Sequence, residues 1–207
     1  MPIVTALKRQ KRSDTRVNVY LDGAYTFALP DLELSLSGLR VGSELSDEQV
    51  AEYRSRAEDE GAYARAVRFM AVRPRSRREV EDYLARKMVA PDVIQEIVGR
   101  LMRVGLLDDR AFAESWVANR QLLRPRSRRR LEQELASKGL ARDDIQAALE
   151  GLEGEAELKS LIEVVEKKQR LPQYHEPQRL VGYLARQGYG YELIKRALEE
   201  VSKRSDG

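Results

Sequence analysis

Arg73-Pro-Arg-Ser-Arg-Arg78 recurs as Arg124-Pro-Arg-Ser-Arg-Arg129, 51 residues further along the chain. Each copy runs into a helical pattern, Glu79-Val-Glu-Asp-Tyr-Leu-Ala-Arg-Lys87 in the first and Arg130-Leu-Glu-Gln-Glu-Leu-Ala-Ser-Lys138 in the second. A third relative follows, because Tyr83-Leu-Ala-Arg-Lys87 reappears as Tyr183-Leu-Ala-Arg-Gln187. Self-similarity at a fixed period of this size marks stacked supersecondary units, each burying its apolar face against its neighbours. The third copy lacks the arginines.

Around that repeat the pattern is helical from Gly61 onward. It predicts nine helices in three groups: 61–72, 76–88 and 91–103; then 109–123, 127–138 and 142–151; then 155–170, 176–187 and 190–203. The groups align by their apolar positions. Val80 and Leu84 match Leu131 and Leu135, then Leu180 and Leu184. Ile94, Val98 and Leu101 match Ile145, Leu149 and Leu152, then Ile194 and Leu198. Spacings of three and four residues place each set on one inward helix face. Phe112, Trp116 and Leu123 are expected to form the buried stripe of the helix over 109–123. Ser76 and Ser127 are N-cap candidates, Ser76-Arg-Arg-Glu79 is a capping box, Pro177 suits a first helical position, and Asp108 is placed to cap the next helix.

The section before Gly61 reads as β. Val17 to Leu21 and Ala24 to Ala28 flank Asp22-Gly23, a two-residue turn in which both residues need positive φ. Folding about it is expected to put Val17, Val19, Leu21, Ala24, Thr26 and Ala28 on one face and Asn18, Tyr20, Tyr25 and Phe27 on the other. Ile3 to Leu7 is a candidate third strand, with Lys8 to Arg16 a basic loop. Asp31 to Ser37 reads as a short helix stopped at Gly38, and Ser46-Asp-Glu-Gln49 opens a helix to Glu60. The fold expected is mainly α: an elongated tandem array of three three-helix repeats with a small N-terminal β-hairpin module. Its divisions are residues 1–60, 61–104, 105–153 and 154–207.

Composition narrows the function. The 207 residues contain no cysteine and one histidine, His175, so disulfides, thiolate zinc sites and histidine-rich metal sites are excluded. No apolar run has membrane-spanning length and Met1-Pro-Ile-Val-Thr is no signal peptide, so a cytoplasmic location is expected. Residues 1–60 carry 8 basic and 11 acidic side chains, whereas residues 61–110 carry 11 basic and 7 acidic. The basic side chains are mostly arginine, 28 against 9 lysines. Either a GC-rich genome or a preference for planar, multidentate anion contacts accounts for that bias.

No phosphate-binding loop, dinucleotide fingerprint, nucleophile elbow or paired histidine is present, so the chain reads as no enzyme, with no cofactor. Asp108-Asp109 and Asp143-Asp144 fall at helix starts, where carboxylates suit the macrodipole. The arginines contradict that preference. Arg77 and Arg78, like Arg128, Arg129 and Arg130, lie in a first helical turn, where positive charge costs a few tenths of a kcal/mol each, roughly. An anion would reverse the cost, with backbone N–H groups and guanidiniums converging on its oxygens. Arg73, Arg75, Arg124 and Arg126 extend the same surface. Nucleic-acid or other anion contact, solvated charge, and pairing with an acidic protein surface all remain open on these residues.

These segments resemble the RecX regulatory proteins. The resemblance is carried by Arg73 to Leu84, Gly105-Leu-Leu-Asp-Asp-Arg-Ala-Phe-Ala113, Trp116 to Arg120, Arg124 to Leu131, Leu135, Lys138-Gly-Leu140, Tyr183 to Gly188 and the hairpin leader Tyr20-Leu-Asp-Gly23. It spans nearly the whole chain, with the third group more divergent. It implies a curved stack of three-helix units that binds the groove of the RecA–single-stranded DNA filament and inhibits RecA's ATPase, recombinase and coprotease activities. That would modulate DNA repair and the SOS response. The implied partners are the RecA filament, single-stranded DNA bound weakly and without sequence preference, and double-stranded DNA as a further ligand; a monomer is expected. The rival readings are a helical transcription regulator with a recognition helix in the major groove, and a helical adaptor without nucleic-acid affinity.

Overall fold

The computed structural model describes residues 1–10 and 13–205. Its first element is a three-stranded antiparallel sheet in the order β1 (Val4–Gln10), β2 (Ser13–Leu21), β3 (Ala24–Pro30). Asp22 and Gly23 make the two-residue turn, with φ of 49° and 84°. The strands run further than the sequence suggests. Lys8 pairs with Asn18 and Arg9 with Val17, so most of the expected basic loop is sheet; Lys11 and Arg12 lie outside the described residues. Alternating side chains let a charged residue face solvent from within a strand, which hides it from composition.

The expected face assignment holds for Tyr25 and Ala28 but fails at three positions of β3. Val19 pairs with Phe27 but Tyr20 with Tyr25, so Thr26 is an extra residue opposite the β2 ladder. A bulge of one residue reverses the alternation beyond it. Phe27, expected outside, is buried, while Ala24 is exposed and Thr26 only half-buried. Val4, Val19, Leu21, Phe27 and Leu29 form the core here with Leu45, Val50 and Ala57.

Helix α1 (Asp31–Ser37) ends at Gly38, whose φ of 69° is the left-handed stop. Helix α2 (Asp47–Ala71) opens on the full Ser46–Gln49 capping box. It does not stop near Glu60. Gly61 lies in its interior, where a glycine costs about 1 kcal/mol relative to alanine. Burial of Val50, Ala57, Ala62 and Ala66 along the helix outweighs that penalty.

The remaining helices are α3 (Arg77–Ala85), α4 (Pro91–Arg103), α5 (Asp109–Leu123), α6 (Arg128–Ser137), α7 (Arg142–Ala148), α8 (Glu155–Gln169), α9 (Pro177–Arg186) and α10 (Tyr191–Ser205). The chain is thus mainly helical, with tandem three-helix groups α2–α4, α5–α7 and α8–α10 after the sheet. Val80, Leu84, Leu131, Leu135, Leu180 and Leu184, aligned through the repeat, are all buried. In the second group Phe112, Ala113 and Val117 line the core with Leu131, Leu135, Leu140, Ile145 and Leu149. Leu123 departs from expectation, 68% exposed at the last turn of α5. Val117 and Ala113 take the inward positions instead.

The chain forms two compact units, residues 1–73 with 80–100 and residues 74–79 with 101–207. The segment 74–79, most of the first hexapeptide and its capping glutamate, therefore belongs with the second and third helix groups.

Candidate nucleic-acid interface at the arginine-rich repeat

Ser76 and Ser127, the same position in the two hexapeptides, are the buried polar residues among those described. Each is an N-cap. Ser127 Oγ accepts from the Arg130 N–H at 3.1 Å. Ser76 Oγ accepts from the Glu79 N–H at 3.3 Å, and Glu79 accepts in return from the Ser76 N–H at 3.2 Å. These bonds satisfy donors that a helix start otherwise leaves open.

Burial comes from the next helix group. Ser76 Oγ donates to the Lys138 carbonyl at 2.8 Å. At the second copy the Ser127 N–H donates to the Gln187 carbonyl at 3.3 Å. Lys138 and Gln187 follow α6 and α9 and precede glycines in the left-handed region, Gly139 at φ 79° and Gly188 at φ 94°. Both glycines are closely covered: a Cβ on Gly139 would lie 2.7 Å from Arg78 Cβ, and one on Gly188 2.5 Å from Ser127 Oγ. The hexapeptide is therefore a junction, seating the start of one second helix on the end of the following one.

The following group also supplies a carboxylate. The Arg77 N–H donates to Asp109 Oδ1 at 2.7 Å, and the Arg128 N–H to Glu157 Oε1 at 2.9 Å. The anion that an arginine-rich helix start calls for is thus provided from within, and Asp109 does more than begin its own helix. Asp108 is the N-cap of α5, accepting from the Ala111 N–H at 3.0 Å. Sequence reasoning missed Glu157, Lys138 and Gln187. Their available signal was placement, since Asp109 and Glu157 both fall in the first turn of the group after a hexapeptide.

The nine predicted arginines divide by environment. Arg126 lies 3.1 Å from Glu134, and Arg128 pairs with Glu153 at 3.0 Å while donating to Gln146 at 2.7 Å. Glu134 also accepts from the Trp116 indole N–H at 3.1 Å and from Arg120 at 3.0 Å, which ties Arg126 to the second core. Trp116 is flanked by Arg120 at 4.4 Å and Lys138 at 4.3 Å, so the aromatic is part of the packing. Arg75 is half-buried, and Arg73 and Arg77 are exposed. Arg78, Arg124 and Arg129 are exposed with no ion pair or hydrogen bond from their guanidiniums among the described residues. Arg130 is only 3.8 Å from Glu134 and nearly half exposed. Arg128, Arg129 and Arg130 line a cleft of about 520 Å³ with Arg186, Gly188 and Tyr189. His175 sits between a 3-10 turn, Pro172–Tyr174, and α9, which starts at Pro177.

The chain matches known domains in order along its length. The RecX N-terminal domain matches residues 2–46, and the first, second and third RecX three-helix domains match 62–101, 108–149 and 155–198. A regulatory protein RecX of Bacillus subtilis is 30% identical over 210 residues, covering 100% of this chain and 80% of its own length. The chain belongs to the RecX family. A RecX of Bacillus licheniformis is 31% identical over 211 residues, with the same coverage. A crystal structure of a regulatory protein RecX superposes with a TM-score of 0.73 at 24% identity, covering 95% of this chain and 100% of that one, and so shares the fold. A RecX from Lactobacillus salivarius superposes over 70% of this chain with a TM-score of 0.60. Among the described residues no helix is long and apolar enough to cross a membrane.

Proposed function

We propose that this protein binds the RecA–single-stranded DNA filament and inhibits RecA's ATP hydrolysis, strand exchange and coprotease function. It acts as a binding regulator without catalysis of its own. The observation that carries this reading is the ordered match of all four RecX domains, a family of RecA regulators. The exposed arginines of the two junctions, Arg73, Arg77, Arg78, Arg124, Arg129 and Arg130, supply the positive surface toward filament phosphates and acidic RecA side chains. The Arg126 and Arg128 guanidiniums are engaged within the second helix group, and Arg75 is half-buried. In the proposed setting the protein is a cytoplasmic monomer.

The experiment is RecA ATP hydrolysis on single-stranded DNA with increasing amounts of the full chain. Hydrolysis should fall as the protein is added, and strand exchange with it. Unchanged hydrolysis, together with tight binding to one palindromic duplex, would transfer the protein to the transcription-regulator reading.

A further inference from the structure

The two junctions are built alike but differ in charge. Superposing the hexapeptides places Arg130 at the position of Glu79, and the Tyr-Leu-Ala-Arg relation places Gln187 at that of Lys138. At the first junction those residues close an ion pair, Lys138 Nζ to Glu79 Oε1 at 3.2 Å, with side chains only 17% and 21% exposed. At the second the same two positions hold a guanidinium and a neutral amide. Of the neighbouring changes, Ser137 to Arg186 adds a further positive charge, and Leu140 to Tyr189 adds a hydroxyl.

The result is a cleft in which Arg128 is paired to Glu153, while two further cations lack an internal partner. Arg129 and Arg186 are exposed and without a polar partner among the described residues. Arg130 keeps a 3.8 Å approach to Glu134. Two carboxylates also line the cleft, Glu132 and Glu157, and Glu157 is engaged by the Arg128 N–H. Tyr189 lines it as well; the residue is 4% exposed and its hydroxyl is buried with no hydrogen-bond partner. A buried hydroxyl without a partner costs about 1–3 kcal/mol, so it marks a place where a partner is expected. Burial, then Glu157 and Tyr183, raise the pKa of Tyr189, which keeps the hydroxyl a donor.

We propose that this cleft, and not its counterpart at the first junction, binds a backbone phosphate of single-stranded DNA through Arg129, Arg130 and Arg186, with the Tyr189 hydroxyl as a further donor. The inference rests on the DNA-binding half of the function proposed above. Three guanidiniums and a hydroxyl offer more donors than one carboxylate can accept, whereas successive phosphates on an extended strand can share them.

The test is fluorescence anisotropy of a labelled oligothymidylate with the full chain. In the Arg129→Gln/Arg186→Gln variant affinity should fall about tenfold, and the salt dependence should become shallower by about 0.7 in log–log slope for each phosphate no longer neutralised. Arg77→Gln/Arg78→Gln should weaken binding less, by about twofold to threefold, because those cations lie outside the cleft and act only as part of the wider positive surface. Tyr189→Phe should weaken binding while leaving stability equal or higher, which separates the effect from unfolding. Equal reductions at both junctions, parental affinity in the Arg129→Gln/Arg186→Gln variant, or no oligothymidylate binding by the parent would overturn the assignment. So would a variant that keeps its DNA affinity but no longer inhibits RecA, because the cleft would then take an acidic protein surface. A parent that binds oligothymidylate through this cleft but leaves RecA hydrolysis unchanged would sink the proposed function and leave the cleft assignment standing.

Discussion

Replacing Ser76 by alanine should destabilise the protein more than the same change at Ser127, although both are buried N-caps of identical local sequence. Each substitution removes a cap, worth about 1 kcal/mol. The difference lies across the junction. Ser127 meets the following group through its main-chain N–H, which alanine retains. Ser76 meets it through its hydroxyl, which donates to the Lys138 carbonyl. Removing that bond, and leaving the carbonyl without it, adds about 1 kcal/mol or somewhat more. Ser76→Ala should therefore cost about 2 kcal/mol and Ser127→Ala about 1. Urea unfolding followed by Trp116 fluorescence reads this directly, because the chain has one tryptophan and its ring lies beside Lys138. With a urea slope of about 2 kcal/mol per molar, the two midpoints should differ by about 0.5 M. Ser76→Thr, which keeps a hydroxyl, should recover part of the stability. Equal midpoints for the two alanine variants, or a larger drop at Ser127, would refute the claim that the first junction is closed by this side chain.

Gly139→Ala and Gly105→Ala both force alanine into the left-handed region, at φ 79° and 69°, for about 1–2 kcal/mol each. Only at Gly139 does the new Cβ meet Arg78, whereas nothing lies within 4 Å at Gly105; thermal unfolding should show an extra destabilisation of about 1–3 kcal/mol at Gly139. Asp59 has its carboxyl pKa raised, first by burial and then by Glu96, Glu58, Asp92 and Glu60. Its charged form is therefore disfavoured in the folded state, so Asp59→Asn should raise stability at neutral pH, with the advantage disappearing as the pH falls through the raised pKa toward 3.8. Tyr189 holds its proton in the folded state to higher pH than the unfolded value of about 10. Stability should then fall as the pH rises beyond about 10, and Tyr189→Phe should remove that part of the decline in alkaline urea titrations.

Features fixed by adjacent residues were readable in the sequence. The Asp22-Gly23 turn, the Ser46 capping box, the serine caps and Pro177 at the start of α9 each depend on a few neighbouring residues, and the repeat aligned the buried Val80, Leu84 and leucine pairs. Features fixed by distant partners were not. The bulge at Thr26 depends on how β2 registers against β3, and it moved Phe27 to the inside. Continuity of α2 through Gly61 depends on tertiary burial outweighing a weak breaker. At the arginine-rich site the residue types were visible but not their loads. Glu134 occupies Arg126, Glu153 occupies Arg128, and Asp109 and Glu157 reach helix starts 32 and 29 positions away.

The glycines at 139 and 188 have a consequence for where this protein can be cut. Each ends a helix of its own group and is also the floor on which an earlier segment rests. A piece taken from Gly105 onward would keep Asp109, Lys138 and Gly139 but discard Ser76, Arg77 and Arg78, uncovering one floor while leaving the other intact. A piece ending before Asp108 would keep those three residues and strip away everything they touch in the next group. Borders drawn by helix count therefore cut through the junctions. A hexapeptide and the glycine it covers behave as one part owned by two groups, so exchanging a single group between relatives requires matching the hexapeptide on one side and the glycine on the other.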